Sequence, residues 1–237
     1  MYGAELAEVY DLVHQERGKG FRAEADDVTA LIRSRAPAAG SLLDIACGTG
    51  AHLRCFADLF PHVEGVELSE AMLTVARARL PGAALHKADL RTFDLGRTFD
   101  AVTCMFGSIG YATSPAELVG ALRRVAAHLS PTGVAIIDPW WFAETFLDGY
   151  VSADVVTADG RTVTRLSHSA RHGDTSRMQV HYVVADARSG ARHFAETHEI
   201  SLFSRKQYRE AFRAAGLRVD HVEGVVSQRG LFVAGHA

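Results

Sequence analysis

The sequence predicts an α/β fold in which a doubly wound, mostly parallel sheet of seven strands carries an inserted antiparallel β-meander. Three observations lead to this prediction. Apolar strand-like runs alternate with amphipathic helix-like runs between residues 42 and 139. Residues 140–203 instead alternate polar with apolar or β-branched side chains, and turn-forming groups interrupt them. Residues 204–237 then show one more helix and two strands, which return to the main sheet.

The first half of the chain is interpreted as two helices followed by repeated strand and helix units. A basic glycine loop, "RGKG" at residues 17–20, separates the first two helices. Ser69 is placed as an N-cap before one later helix, and Ser114 with Pro115 opens another. Short connections favour parallel strands that are covered by helices on both faces. The helix-like segments are "ELAEVYDLVHQ", "FRAEADDVTALIRSRA", "HLRCFADLF", "SEAMLTVARARL" and "SPAELVGALRRVAAHL", and the strand-like segments are "LLDIAC", "VEGVEL", "ALHKADL", "FDAVTCMF" and "GVAIIDP".

The inserted region has the pattern of an antiparallel meander of about four strands. The groups "ADG", "HGD" and "RSG" separate these strands at near-regular intervals. We therefore divide the chain into a Rossmann-like domain, residues 1–139 and 204–237, and an inserted sheet, residues 140–203. The strand-like segments of the insert are "VSADVVTA", "RTVTRLSHSA", "SRMQVHYVVA" and "RHFAETHEISLF".

Composition and charge argue against several classes of partner. The 237 residues are 48% hydrophobic and carry a formal net charge of -3, so no sequence-wide charge favours nucleic acid or an anionic membrane. Three cysteines lie in apolar segments without a CxxC pair, and no histidine spacing matches a metal motif such as HExxH. No apolar run approaches membrane-spanning length. We expect a cytoplasmic protein with no metal site and no nucleic-acid or membrane partner.

A Gly-x-Gly turn, formed by Gly48 and Gly50, follows the first predicted strand. Such a turn lets the backbone approach a ligand closely, and the amides of the next helix point at that ligand. Leu53 occupies the place where a dinucleotide fingerprint has its third glycine. A pyrophosphate would also need more positive charge than this turn carries. The turn therefore predicts a nucleoside-like ligand without a pyrophosphate.

Three carboxylates stand at three successive strand ends, where ligands of open α/β sheets bind. Asp44 lies inside an otherwise apolar strand, where it orders the turn or receives a ligand's ammonium group. Glu67 ends the second strand, in a place where a carboxylate accepts both hydroxyls of a ribose. Asp89 ends the third strand and could accept from an exocyclic amine such as that of adenine. Together they predict a ligand with a ribose, an adenine and an amino-acid tail.

This set of motifs resembles the class I S-adenosylmethionine-dependent methyltransferases. The resemblance rests on D-x-A-C-G-T-G from residue 44, on Glu67, on the pair Asp89 and Leu90, and on "FDAVTCMFGSIGY". It implies S-adenosylmethionine as cofactor, with the Met105 backbone beside the adenine.

Three further stretches suit a sugar diphosphate. "DPWWF" offers aromatic faces after the fifth strand, while "RLSHS" and "SQRGLF" offer arginine and serine donors. Together with "MYGAELAEVYDLV" and "RGKG" they resemble the N,N-dimethyltransferases of antibiotic biosynthesis that act on dTDP-3-amino deoxyhexoses. Over nearly the whole chain, the resemblances imply cofactor contacts at Tyr10, Asp44, Ala46, Gly48, Gly50, Glu67, Leu68, Asp89, Leu90 and Met105. They imply substrate contacts at Tyr2, Arg17, Phe21, Trp140, Trp141, Arg165, Ser167, His168, Ser169 and Arg229.

The sequence departs from this family at three positions. Phe21 stands where related sequences often have tyrosine, Gly107 where they have serine, and Asp138 where they have glutamate. These departures leave the reaction class unchanged and put the particular sugar in doubt.

Methyl transfer to an amine needs alignment and a neutral amine more than a strong base. The proton of a sugar ammonium must first leave, to solvent or to a nearby group. Tyr2, Tyr111 and His14 are the candidate catalytic residues, with positioning as the alternative role for each. The two N-terminal helices and the "RGKG" loop are a candidate lid, because dimethylation requires release of the spent cofactor between rounds.

Other functions stay open at this point. A methyltransferase for a different small natural product would keep Glu67 and Asp89 but have no use for diphosphate donors. A regulator without catalysis could keep the cofactor turn and lose the acceptor pocket. A nicotinamide oxidoreductase is disfavoured, because the third glycine and a Tyr-x-x-x-Lys stretch are missing. The sequence does not decide the oligomeric state, for which a homodimer is one candidate.

Overall fold

A computed structural model describes residues 2–237, and its elements follow the predicted order. The helices are α1 (Ala4–Glu16), α2 (Phe21–Arg33), α3 (Ala51–Phe56), α4 (Glu70–Arg79), α5 (Pro115–Ala127) and α6 (Arg205–Ala214), with a short 3-10 helix at Ser108–Tyr111. The strands are β1 (Ser41–Ile45), β2 (His62–Glu67), β3 (Ala84–Lys87), β4 (Phe99–Cys104), β5 (Leu129–Ile137), β6 (Tyr150–Ala158), β7 (Arg161–His172), β8 (Thr175–Asp186), β9 (Gly190–Ser201), β10 (Leu217–Val222) and β11 (Leu231–His236).

The large sheet has seven strands in the order β10, β11, β5, β4, β1, β2, β3. Strands β1 to β5 pair in parallel, whereas β11 is antiparallel to both of its neighbours. The strand order reverses between β1 and β4, and this reversal opens a crevice at the carboxyl ends of these strands. The predicted class of a doubly wound, mostly parallel sheet with an inserted meander is confirmed.

Helices cover both faces of the large sheet. Leu122 of α5 and Phe212 of α6 are fully buried in the cluster on one face. Ile32 of α2 and Phe56 of α3 are fully buried in the cluster on the other. Burying a large apolar side chain contributes about 1.5 to 3 kcal/mol, so these two layers hold the strand ends in place.

Both predicted N-caps are present. The Ser69 hydroxyl accepts from the Met72 amide at 3.3 Å, and the Ser114 hydroxyl accepts from the Glu117 amide at 3.2 Å. Each cap satisfies an amide that the helix itself leaves unpaired. The Ser69 cap makes α4 begin directly after the end of β2, and this fixes the backbone next to Glu67.

The inserted strands form a separate antiparallel sheet in the order β6, β7, β8, β9. Its inner face packs against α1, where Leu6 and Val9 meet Val163 and Val180. Side chains alternate strictly between the inner and outer faces, as the period-two sequence pattern requires. The division of the chain into two domains at residues 139 and 204 stays a prediction. No helix within residues 2–237 is both long and apolar enough to cross a lipid bilayer.

Candidate active site

Two cavities lie between the large sheet, the small sheet and α1. The strand-end cavity, of about 340 Å³, borders the residues that follow β1, β2 and β3. The sheet cavity, of about 480 Å³, lies between α1, the aromatic residues after β5 and the inner face of the small sheet. Tyr2, Tyr10, Tyr111 and His198 line both cavities. The two cavities therefore meet at these four side chains.

Glu67 is the central polar group of the strand-end cavity. Its side chain is buried, and its two oxygens accept from the Gly48 amide at 3.0 Å and the Ser69 amide at 2.7 Å. Burial raises the pKa of the carboxyl, while these amides oppose that shift. Each oxygen keeps a second acceptor position. The carboxylate is therefore held in one orientation and can accept from a vicinal diol.

Asp89 lines the same cavity and is fixed by Arg91. The carboxylate accepts from the Arg91 amide at 2.9 Å and from the Arg91 guanidinium at 2.6 Å. Hydrogen bonds from Arg91 lower the pKa of Asp89. Arg91 also donates to Glu117, at the start of α5, at 3.1 Å. This ion-pair chain keeps Asp89 ionised and oriented at the cavity wall.

Three arginines line the sheet cavity. The Arg17 guanidinium pairs with Asp154 at 2.7 Å, and Arg229 pairs with the buried Asp138 at 3.1 Å. The Arg165 guanidinium donates to the Ser167 hydroxyl at 3.0 Å. Its Nε is buried without a hydrogen-bond partner among residues 2–237. The sheet cavity thus holds a buried cationic group with one unused hydrogen-bond donor.

Comparison with known proteins gives the family. A sequence profile described as a methyltransferase domain matches residues 42–133. A dTDP-3-amino-3,4,6-trideoxy-alpha-D-glucopyranose N,N-dimethyltransferase of Streptomyces venezuelae is 56% identical over 233 residues, which are 98% of each chain. The crystal structure of Streptomyces venezuelae DesVI superimposes with a TM-score of 0.96 over 100% of each chain, at 55% identity. SAM-bound CalS10, an amino pentose methyltransferase from Micromonospora echinaspora involved in calicheamicin biosynthesis, gives 0.89 at 48% identity, over 100% of this chain and 98% of its own.

The chain belongs to this family of S-adenosylmethionine-dependent sugar N-methyltransferases. It is therefore an enzyme, and the predicted family and reaction class are confirmed. The strand-end cavity fits the cofactor, because the fixed Glu67 carboxylate keeps free acceptor positions for the hydroxyls of a ribose. When bound, S-adenosylmethionine supplies an electrophilic methyl group on a sulfonium.

Of the ten predicted cofactor residues, seven line the strand-end cavity and three do not, and the cofactor contacts themselves stay predictions. Asp44, Gly50 and Met105 do not line it. Asp44 is buried under the turn and accepts from the Thr103 hydroxyl at 2.7 Å, and burial raises the pKa of its carboxyl to about 6. The seven that do line the cavity are Tyr10, Ala46, Gly48, Glu67, Leu68, Asp89 and Leu90.

The other two residues that do not line the cavity, Gly50 and Met105, lie behind its wall. Gly50 is the N-cap of α3 at φ 73, and a Cβ there would lie 3.2 Å from Ala76 Cβ and 3.3 Å from Leu80 Cδ1, in and just after α4. It therefore allows close packing of α3 on α4. The Met105 side chain is buried in the hydrophobic cluster below the cavity, and its backbone oxygen accepts from Ser108 at 3.1 Å.

Two of the predicted substrate residues lie away from the sheet cavity. His168 points to the exposed outer face of the small sheet, because it alternates with the inward-facing Ser167 and Ser169. Phe21 is buried against His52, with ring centroids 4.9 Å apart, and does not line the cavity. The remaining predicted residues, Tyr2, Arg17, Trp140, Trp141, Arg165, Ser167, Ser169 and Arg229, line it.

Gly107, one of the departures from the family pattern, lies directly against Trp140. Its φ of 78 is left-handed, and a Cβ there would lie 2.8 Å from Trp140 Cε3. The Trp140 indole is fixed on its other side by donation to the Ser176 hydroxyl at 3.0 Å. Gly107 therefore lets this aromatic wall of the sheet cavity approach the backbone.

The candidate catalytic residues lie at or near the junction. Tyr2 and Tyr111 share a hydrogen bond at 3.0 Å between their hydroxyls, and burial raises the pKa of both. The His14 ring lies in the sheet cavity, 4.5 Å from the Tyr10 ring and 5.0 Å from the Phe106 ring. Burial lowers the pKa of His14 to about 3, so its imidazole is neutral near pH 7.

Sequence reasoning missed His198 and Arg91. His198 lines both cavities and hydrogen-bonds the Tyr111 hydroxyl through Nδ1 at 3.0 Å. The signal for His198 was the alternation within "HFAETHEI", which puts it on the same face of β9 as Glu196. Arg91 stood two residues after Asp89, and nothing in the sequence shows that its side chain folds back onto that carboxylate.

Proposed function

We propose that the methyltransferase methylates the amine of a dTDP-linked 3-amino deoxyhexose, with the cofactor in the strand-end cavity and the sugar nucleotide in the sheet cavity. The observation that carries this proposal is the junction of the two cavities at Tyr2, Tyr10, Tyr111 and His198. An amine at this junction would lie between a carboxylate-lined site and an arginine-lined site. The relatives named above support the choice of a nucleotide-linked aminosugar.

The charges of the sheet cavity support a diphosphate ligand. The chain carries a formal net charge of -3, so an anion needs local partners. Arg165 is buried and has an unpaired Nε, and its Nη1 lies 4.0 Å from Asp154, whereas Arg17 and Arg229 pair with carboxylates at 2.7 and 3.1 Å. We therefore assign Arg165 as the principal diphosphate donor, with Ser167 and Ser169 beside it on β7. Trp140 and Trp141 supply aromatic faces for the sugar or the base.

In this arrangement the residues of the chain align two reactants and exclude water. The substrate amine must lose its proton before its lone pair forms the new nitrogen–carbon bond and the sulfur–carbon bond breaks. Tyr2 and Tyr111 orient the amine at the junction through their hydroxyls. A second methylation follows exchange of the spent cofactor, and α1 with the "RGKG" loop would open as the lid.

Mass spectrometry of reaction products tests this function. The purified enzyme is incubated with S-adenosylmethionine and a panel of dTDP-3-amino, dTDP-4-amino and amine-free deoxyhexoses. We expect one and then two methyl groups on a 3-amino sugar nucleotide and none on the amine-free compound. Equal use of the free aminosugar would remove the diphosphate site and leave a methyltransferase of another small natural product. Cofactor binding without turnover of any amine would instead support a regulator.

We also propose that the enzyme is a homodimer that pairs through the outer face of the small sheet. Val151, Val155, Leu166 and Val183 are 58%, 69%, 45% and 41% exposed on this one face. Large apolar side chains exposed together on one face are typical of an interface, and a two-fold axis would pair this face with itself. Light scattering should give twice the chain mass, and Leu166→Lys should give a monomer. A monomeric wild-type protein would contradict the proposal.

A cytoplasmic location and the domain division complete the proposal. Cys47, Cys55 and Cys104 are free thiols, which fits a reducing compartment. Residues 1–139 and 204–237 would form the cofactor-binding domain, and residues 140–203 the substrate platform.

A further inference from the structure

Helix α1 borders both cavities, so the way it is held governs how ligands enter and leave. Tyr10 of this helix lines the strand-end cavity and the sheet cavity, and His14, one turn later, lines the sheet cavity. The helix has two different kinds of attachment, one to the small sheet and one to the large sheet with its helices. The difference between them indicates which attachment opens.

The attachment of α1 to the small sheet is extensive. The buried apolar cluster around the helix comes mainly from the inner face of that sheet, with Val163 and Val180 among its members. Glu8 adds ion pairs to Arg161 of β7 at 3.0 Å and to Arg192 of β9 at 2.6 Å. These contacts make α1 and the small sheet one packed unit.

The attachment of α1 to the large sheet is smaller and mostly polar. Asp11 accepts from the Thr49 hydroxyl at 2.6 Å and forms an ion pair with Arg79, at the end of α4. Arg79 also donates to the Thr49 carbonyl oxygen at 2.8 Å, which closes a ring of three residues. Met72 of α4 is the one buried apolar side chain within residues 2–237 that joins the α1 cluster from this side.

Thr49 connects this ring of residues to the glycine turn. It is buried and stands between Gly48 and Gly50. The Gly48 amide in turn holds one oxygen of Glu67, the central carboxylate of the strand-end cavity. The position of α1 and the geometry of the turn are therefore set by the same contact.

We propose that Asp11, Thr49 and Arg79 form a latch that opens when the cofactor is exchanged, and that α1 then leaves the large sheet together with the small sheet. This inference rests on the proposed function, in which the spent cofactor leaves between two methylations. The three residues line neither cavity. They act as positioning residues, through α1 and the glycine turn.

The chemistry of the two attachments decides which one opens. The Asp11 and Arg79 side chains are 16% and 27% exposed, so water and salt ions can replace their bonds when the latch opens. Separation of α1 from Val163 and Val180 would instead expose apolar surface to water, which opposes that separation. The polar attachment is therefore the one that releases, and the apolar attachment keeps α1 on the small sheet.

The test measures how fast S-adenosylhomocysteine leaves Asp11→Asn, a variant that keeps the size of the side chain and loses its charge. Enzyme loaded with the labelled compound is mixed with an excess of the unlabelled compound, and rapid filtration follows the loss of label. We expect dissociation about tenfold faster than in wild type. The KM for the dTDP-sugar should change less than about twofold, because α1 stays on the small sheet.

Two further variants test the latch and its location. Arg79→Gln should speed dissociation about as much as Asp11→Asn, and the double variant should be no faster than either single variant, because both residues belong to one latch. Glu8→Gln removes the charge that pairs α1 with the small sheet and is the matched control. It should release S-adenosylhomocysteine at the wild-type rate.

The effect of salt on the dissociation rate is a readout that a purely structural role would not change. Raising NaCl from about 50 to about 500 mM should speed release from wild type about threefold, because salt screens the ion pair of Asp11 with Arg79. Release from Asp11→Asn should be nearly independent of salt.

Three results would overturn the inference. The first is an unchanged dissociation rate in Asp11→Asn, and the second is additive effects in the double variant. The third is equal acceleration by Glu8→Gln, since the general stability of α1 would then control release. Failure of the proposed function is distinct, because dissociation is measured without any sugar nucleotide.

Discussion

The two cavities differ in how the chain builds them. Apart from the junction residues, the polar groups of the strand-end cavity come mainly from residues 46–91, where main-chain amides fix carboxylates at the ends of parallel strands. The sheet cavity draws on residues between Tyr2 and Arg229 and is held by ion pairs across the fold. A short sequence motif thus determines the first, whereas long-range packing determines the second. Mutations should therefore act locally in one cavity and on the whole fold in the other.

The largest effect is expected from Arg229→Ala, and it should be an effect on stability. Arg229 pairs with Asp138 and donates to the Pro139 carbonyl at 2.7 Å, and Asp138 is 1% exposed. Removal leaves a buried carboxylate uncompensated, which costs about 3 to 5 kcal/mol. Thermal or urea unfolding measures this loss.

The double variant Arg229→Ala with Asp138→Asn is the control for that experiment. It removes the unpaired charge and should recover part of the lost stability. A stable Arg229→Ala protein whose only change is a raised KM for the sugar nucleotide would mean that Arg229 serves the ligand rather than the fold. It would also weaken the contrast between the cavities.

Glu67→Ala should give the next largest effect, confined to the cofactor. Loss of charge-assisted bonds to two hydroxyls weakens cofactor binding by about 2 to 3 kcal/mol, or about 30- to 150-fold. Calorimetry with S-adenosylhomocysteine measures the change, and Glu70→Ala, an exposed residue of α4, is the matched control. Unchanged affinity in Glu67→Ala would remove this residue from the cofactor site.

These differences explain what the sequence could and could not predict. Glu67 and Asp89 were placed correctly, because the end of a parallel strand fixes where its last side chain lies. Asp44 is opposite Gly65, two positions before Glu67, and accepts from the Thr103 hydroxyl of β4 instead. His168 was predicted as a substrate contact but lies on the outer face of the small sheet, and strict alternation with Ser167 contained the signal for this position. The position of His198 in both cavities depends on which face of the small sheet α1 covers, and only the assembled fold determines that.

The buried His198 at the junction should make the unfolding free energy of the protein depend on pH. The pKa of His198 is lowered to about 4 from an ordinary 6.5, so the folded protein binds fewer protons than the unfolded chain between these values. The contribution of neutral His198 to the stability of the fold is therefore present above pH 6.5 and is lost as pH falls toward 4. Between pH 7 and pH 5 this loss is about 2 kcal/mol.

His198→Gln should remove this part of the pH dependence. Between pH 7 and pH 5, wild type should lose about 2 kcal/mol more unfolding free energy than His198→Gln. Urea unfolding at the two pH values measures it, with His172→Gln as the control. Identical pH dependence in wild type and His198→Gln would mean that the imidazole is not buried as a neutral group.

The smallest effect is expected from Arg165→Lys, which tests the geometry of the diphosphate donor rather than its charge. Arginine presents a planar fork of N–H donors, whereas lysine presents a single ammonium, so the substitution keeps the cation and loses one of two parallel bonds to phosphate. We expect the KM for the dTDP-sugar to rise about threefold to tenfold, or about 1 kcal/mol, with kcat and cofactor affinity nearly unchanged. Arg177→Lys, on an exposed position of the neighbouring strand β8, is the matched control. Steady-state kinetics distinguish two causes: a raised KM with constant kcat supports a ligand contact at Arg165, whereas a parallel loss of stability would mean that its bond to Ser167 serves the sheet instead.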